Sequence, residues 1–163
     1  MNFEQDIARI AEQERRLRVA SFNEETAWAL GSRLRALSLA REAAVTIEVR
    51  LARETVFFCS MPGTSAANAD WVRRKRNTVE MLSRSSYGVG RSLEMEESSL
   101  GTKMGLPTRD YSSYGGSVPI FASSGACIGA VTVSGLPQRE DHALVVEALA
   151  ALCEVPLSDV ALA

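Results

Sequence analysis

The chain has 163 residues, 46% of them hydrophobic and 23% charged, which suits one globular domain with a sizeable core and leaves too little length for a second. Its net charge of −2 gives no electrostatic footprint for nucleic acid or an anionic membrane, since the basic run Arg73 to Arg76 is only local. No stretch approaches transmembrane length, and the start Met1-Asn2-Phe3-Glu4-Gln5-Asp6 is neither a basic leader nor an apolar run, so a cytoplasmic location is expected.

Phe3, Ile7, Ile10, Glu14 and Leu17 recur at helical spacing, so residues 2–18 are expected to form a docking helix with a narrow apolar stripe. That stripe needs a partner, and a neighbouring subunit is one that could supply it. Ser21-Phe22-Asn23-Glu24 has capping chemistry, after which Ala27, Leu30, Leu34 and Leu37 mark a second helix running to about Ala43. The period then changes to two. Val45, Ile47, Val49 and Leu51 alternate with Thr46, Glu48 and Arg50, which describes a strand with one buried and one wet face. Ala52-Arg53-Glu54 turns the chain into Thr55-Val56-Phe57-Phe58-Cys59, an apolar run expected to be covered on both faces. The two strands should form an antiparallel hairpin near the sheet centre.

A third helix is expected from Asn68 or Ala69 to Ser83. On its wheel Trp71, Val72, Thr78, Val79 and Leu82 span an apolar arc of roughly 120°. Lys75 falls in the middle of that arc, whereas Arg73, Arg74 and Asn77 lie outside it and Arg76 just beyond one edge. A buried ammonium is costly unless paired, so Lys75 requires a carboxylate, a carbonyl cluster or an anionic ligand. Residues 84–117 are rich in Ser and Gly with weak periodicity, a short helix near Ser92 to Leu100 excepted, and read as a lid or subunit arm. Gly88-Val89-Gly90 and Gly101-Thr102-Lys103 match no phosphate loop.

Val118 to Phe121 and Cys127 to Ser134 are strands joined by a turn at 122–126. Pro119 cannot donate to a ladder, which places its strand at an edge or beside a bulge. Pro137 suits the first helical position, and Asp141 to Cys153 completes the last helix, whose apolar arc contains Leu144, Val145, Ala148, Leu149 and Leu152. Asp141 projects inside this arc. Lys75 and Asp141 are thus the two charges that the wheels push inward, and opposite signs suggest that they pair directly or share an ion or ligand. His142, the sole histidine, lies at the margin of the arc, as a hydrogen-bonded wall residue, as one axial ligand to haem iron or as a proton carrier near neutral pH. One histidine excludes a two- or three-histidine metal site within one chain. Ser134 in Val-Ser-Gly lacks a nucleophile elbow, so hydrolase chemistry is not expected. Cys59, Cys127 and Cys153 form no Cys-x-x-Cys pair and read as reduced and buried.

The order Gly115-Gly116-Ser117-Val118-Pro119-Ile120, then Gly129 to Gln138 with Val-Ser-Gly and Leu-Pro-Gln, then Asp141-His142, with Trp71 to Asn77 upstream, resembles the haem-degrading-domain family. That family includes haem-binding protein S and glycolate-cluster G relatives, and the resemblance runs from about Phe22 to Cys153. It is nearest to an uncharacterised branch carrying Leu-Pro-Gln and Asp-His. The resemblance implies a profilin-like fold, ring-like homo-oligomers, and haem or another small ligand in some relatives. Combined with the pattern of elements, the expectation is a single α+β domain, an antiparallel sheet of 4–5 strands covered by the second and last helices. The function expected from the resemblance is that of a small-ligand-binding homo-oligomer. Its pocket would be bounded by Lys75, Asn77, Gly115, Gly116, Ser134, Asp141 and His142, with haem or a related anion as ligand. The competing class is an assembly scaffold in which the buried charges are only structural.

Overall fold

A computed structural model describes residues 2–163. Its elements in chain order are α1 (Phe3–Arg16), β1 (Arg18–Val19), α2 (Glu24–Ala40), β2 (Thr46–Leu51), β3 (Glu54–Ser60), α3 (Ala66–Leu82), α4 (Ser86–Met95), α5 (Leu100–Met104), β4 (Ser117–Ala122), β5 (Cys127–Ser134), α6 (Gln138–Leu152) and α7 (Leu157–Val160). The strands form one open sheet in the order β1-β4-β5-β2-β3. Four of them are antiparallel neighbours, and the two-residue β1 adds a parallel pairing to β4, so the sheet is mixed. The expected α+β sheet covered by helices is therefore present, with one short strand that carries too few residues to show a period.

Both faces of the sheet are covered, for different chemical reasons. Val45, Ile47 and Val49 of the β2 region join Val131, Val133, Leu30, Leu34, Leu144, Val145 and Leu149 in the main core under α2 and α6. On the other face, β2 presents Thr46 and Glu48, β5 presents Thr132 and Ser134, and β4 presents Ser117, all beneath α3. This layer is polar yet buried, held by the hydrogen bond between Ser117 Oγ and Thr132 Oγ1 at 2.7 Å and by the ion pair of Arg76 Nε with Glu48 Oε1 at 3.3 Å. The expectation of a wet face on β2 is thus corrected: its alternation is real, but α3 covers the polar side and Arg76 compensates Glu48. The expectation for β3 is reversed as well. It is the sheet edge, and Phe58 is 50% exposed despite its apolar neighbours.

Pro119 behaves as its chemistry demands. β1 pairs with β4 only at Phe121 and Ala122, so among the described residues no strand lies outside Pro119, and a bulge follows at Ile120/Phe121. Asn23 caps α2, its side chain accepting from Thr26 N at 2.9 Å. α3 begins at Ala66 behind the reciprocal Ser65/Asn68 capping box, two residues earlier than its apolar arc suggests. Pro137 sits at the N-cap of α6 rather than at its first helical position.

The stripe on α1 is covered within the chain, because Ile10 and Gln13 are buried where α1 packs on α4 and α7. This removes the need for a second subunit at that helix. The short helix expected near Ser92 to Leu100 lies earlier, at Ser86–Met95, with a second short helix at Leu100–Met104, and Val89 and Leu93 make a small second core with Leu100. Cys59, Cys127 and Cys153 are free but only half-buried, so the expectation of full burial is corrected.

Candidate functional site

The two inward-pointing charges meet. Asp141 stands in the first turn of α6, and its Oδ2 lies 2.9 Å from Lys75 Nζ in the middle of α3. Lys75 is 3% exposed and Asp141 1%, so the pair is excluded from water. The remaining polar atoms are also satisfied. Lys75 Nζ donates to Val133 O at 3.2 Å, and the amide N–H groups of Leu136 and Gly135 donate to the Asp141 carboxylate at 3.0 and 3.4 Å. Those two amides belong to the turn between β5 and α6, so Asp141 ties helix, turn and α3 together. Burial pushes the Lys75 ammonium down from its ordinary value, and the Asp141 carboxylate beside it works against that fall.

The pair forms the floor of a recess of about 430 Å³. Ser134 at the end of β5, Gly135 and Leu136 of the turn, Gln138 at the start of α6, and Tyr114 complete its wall with Asn68 and Trp71 of α3. Asn68, Trp71 and Lys75 are spaced i, i+3, i+7, one stripe of a helix. The Trp71 and Tyr114 rings lie 5.3 Å apart, and the Arg74 guanidinium sits over the Trp71 ring, 4.3 Å from its centroid. Pockets of this size with an apolar wall and a few convergent polar groups are the usual form of a small-molecule site.

Three of the residues singled out from sequence, Lys75, Ser134 and Asp141, line this recess. Gly115 and Gly116 shape it from behind. Gly115 N donates to Gln138 Oε1 at 3.1 Å, while a side chain at Gly116, whose φ is +126°, would overlap the Val133 carbonyl oxygen and come within 2.9 Å of Lys75 Nζ. Asn77 does not reach the recess: it donates to Asp110 O at 2.9 Å and faces a shallow cleft with Arg53, Glu80 and Tyr111. His142 is elsewhere too. Sequence reading missed Asn68, Trp71, Tyr114, Gly135, Leu136 and Gln138; of these, Asn68 and Trp71 could have been found from the stripe they share with Lys75.

His142 is fully enclosed, with Nε2 2.8 Å from Gln13 Oε1 and its ring 5.1 Å from that of Tyr87. Gln13 Nε2 donates to Val160 O, so its carbonyl must accept from His142 Nε2–H, which leaves Nδ1 an unprotonated nitrogen with no partner among the described residues. Burial, reinforced by the nearby Arg139 and opposed by Asp6, lowers its pKa from 6.5 to about 3. Below pH 6.5 the unfolded chain takes up a proton that the folded chain refuses until about pH 3, so stability falls as pH falls across that window. In urea melts from about pH 7 to about pH 5, His142→Gln is expected to show a stability slope shallower than wild type by about 1 kcal/mol per pH unit. Parallel slopes would show that this imidazole is not held neutral.

Comparison with known proteins agrees with the architecture. Residues 22–150 match the family described as haem degrading protein HbpS-like. The UPF0303 protein of Azotobacter vinelandii is 50% identical over 162 residues, covering 99% of this chain and 98% of its own length. UPF0303 protein R02983 of Rhizobium meliloti is 49% identical over 152 residues, 93% of each chain. Among solved structures, the Ybr137w protein superposes with a TM-score of 0.83 at 25% identity, covering 91% of this chain and 87% of that one. The structure described as a PduOC:Heme complex gives 0.65 at 18% identity, covering 82% and 95%, which speaks to fold alone. The buried pair, the recess above it and the sheet that carries both thus belong to a chain of the HbpS-like haem-degrading protein family, alongside the UPF0303 proteins.

Proposed function

We propose that this protein binds a small organic ligand in the recess above the Lys75–Asp141 pair. The observation that carries this reading is a 430 Å³ opening whose floor is a solvent-excluded, hydrogen-bonded charge pair and whose wall is aromatic. Ion pairs kept only for stability gain little from burial and are often replaceable by apolar residues of equal volume. Here the pair is placed where a ligand would meet it. Native mass spectrometry of the purified protein tests this. Wild type is expected to carry a non-covalent small molecule that Leu136→Trp, which fills the recess from a half-buried lining position, does not retain. Equal loading of the two proteins, or none in wild type, contradicts the proposal.

Haem is named in the family description and in the PduOC:Heme complex, and the donor set here can be compared with it. Histidine, cysteinate, methionine and tyrosinate are the side chains that ligate haem iron. The recess lining contains none of these except Tyr114, and His142 is enclosed behind Gln13 and Tyr87. A histidine-ligated haem therefore does not fit this chain. The expectation of His142 as an axial ligand is set aside on that ground, and no chemistry is routed through haem.

The free edge of β3 favours assembly as a second property. Glu54 to Ser60 contains no lysine or proline to blunt it, and Phe58 and Trp28 stand exposed on and beside it. Antiparallel pairing with a second copy about Phe57 would set Val56 against Phe58 and leave no like charges opposed. We infer a homo-oligomer built through this edge, in a reducing compartment such as the cytoplasm, where three free cysteines persist. Light scattering is expected to show a smaller species for Phe58→Lys than for wild type; equal masses would contradict the interface. No described helix is long and apolar enough to cross a membrane.

A further inference from the structure

The carbonyl and carboxylate oxygens of the side chains lining the recess already have partners in the chain, whereas several of its donors do not. Asn68 Oδ1 accepts from Ser65 N at 2.9 Å, and Gln138 Oε1 accepts from Gly115 N at 3.1 Å. A backbone N–H can only donate, so these two bonds fix which end of each amide is oxygen. The NH2 of Asn68 stands 3.5 Å from Ser134 O, but that of Gln138 has no partner among the described residues. Both Asp141 oxygens are occupied by Lys75 and by the amides of Gly135 and Leu136. Two further donors stand free at the same place. Ser134 lines the recess and is only 4% exposed, yet its hydroxyl has no hydrogen-bond partner among the described residues. The 15-residue helix α6 also starts at the recess wall: its N-cap is Pro137, which supplies no side-chain cap, and the N–H groups of Gln138 and Arg139 make no hydrogen bond among the described residues. Free amides at a helix start carry partial positive charge and favour an anion.

We propose that the ligand of the recess is a small carboxylic acid, held non-covalently as its monoanion, with a flat apolar body. This rests on the ligand-binding reading above. An ionised carboxylate only accepts, and its bonds to N–H and O–H groups are charge-assisted, so it matches the Ser134 hydroxyl, the Gln138 NH2 and the start of α6. Trp71, Tyr114 and Leu136 supply the apolar wall for the rest of the molecule. The charge is limited to one. The lining carries one cationic and one anionic side chain, and these are bound to each other, so no unpaired cation awaits a phosphate dianion. A primary amide of the same shape would instead bring two N–H donors to a wall whose amide and carboxylate oxygens are already taken, and each donor left without a partner opposes binding.

The test titrates the full chain carrying Trp28→Phe, which leaves Trp71 as the single tryptophan, with phenylacetate and with its isosteric amide phenylacetamide. Trp71 fluorescence is expected to respond to phenylacetate at concentrations at least about tenfold lower than to phenylacetamide. Gln138→Glu keeps an oxygen for the Gly115 amide but replaces the free NH2 by a second acceptor. It is expected to weaken phenylacetate by at least about tenfold and to leave phenylacetamide bound no more weakly than before. Ser134→Ala, which introduces no charge, should also weaken the acid more than the amide. Equal affinity for acid and amide, an indifferent Gln138→Glu, equal losses of both probes in the two variants, a response to inorganic phosphate at lower concentration than to phenylacetate, or no response to either probe overturns the proposal. The binding reading is decided separately, by the molecule that native mass spectrometry finds on wild type and not on Leu136→Trp.

Discussion

Lys75→Met is expected to destabilise the fold by about 3–5 kcal/mol, because it removes the countercharge of a carboxylate with no access to water. Asp141 is 1% exposed and keeps only the amides of Leu136 and Gly135 once the ammonium is gone. Two backbone donors do not neutralise a charge. Relief can come from protonating Asp141, so the loss should shrink as pH is lowered toward the titration of the stranded carboxyl. Lys75→Met/Asp141→Leu is expected to recover part of the loss, since no isolated charge remains, and the recovery isolates the pairwise coupling. Urea unfolding midpoints of wild type, Lys75→Met, Asp141→Leu and the double variant measure all of this. A single variant within about 1 kcal/mol of wild type would mean that water reaches the pair.

The second large effect is steric. Gly116→Ala is expected to cost about 3 kcal/mol or more, combining a backbone conformation that L residues rarely adopt with overpacking against neighbours that cannot retreat. Its φ is +126°, and the added Cβ would overlap the Val133 carbonyl and press on both Lys75 Nζ and Asp141 Cβ. Gly105→Ala is the matched control. Gly105 also has a positive φ, +68°, at the end of α5, but nothing lies within 4 Å of its added Cβ, so a cost of only about 1 kcal/mol is expected. Equal costs at the two glycines would show that backbone strain alone matters and that the approach to Lys75 does not.

How much of this was visible in the sequence depended on whether the signal was local. Lys75 and Asp141 were legible because each interrupts the apolar arc of its own helix, and period alone shows that. Their meeting was suggested by opposite sign alone, since α3 and α6 cover opposite faces of the sheet and the pair forms only where the first turn of α6 leaves the end of β5. Tyr114 carried no such signal: it lies in an irregular segment and reaches the recess through the fold. The helix at 86–95 was hidden by its own glycines, which are there for packing. A Cβ at Gly90 would overlap the Ser113 carbonyl, and one at Gly88 would lie 2.9 Å from Ile10 Cγ2. β2 and β3 were exchanged in burial because composition reports polarity and not cover. Glu48 is buried under Arg76, whereas Phe58 sits at an edge that no strand among the described residues closes. His142 lay at the margin of its wheel, and only the return of α1 and α7 across α6 decides that it is enclosed.

Selective ¹⁵N labelling of lysine offers the most direct view of the recess floor, since two side-chain ammonium signals are expected from Lys75 and Lys103. One signal should exchange its protons with water far more slowly than the other and shift when Leu136→Trp fills the recess, while its companion stays in place. Two signals exchanging equally fast, or a protected signal indifferent to Leu136→Trp, would contradict a dry charge pair at the base of a ligand site.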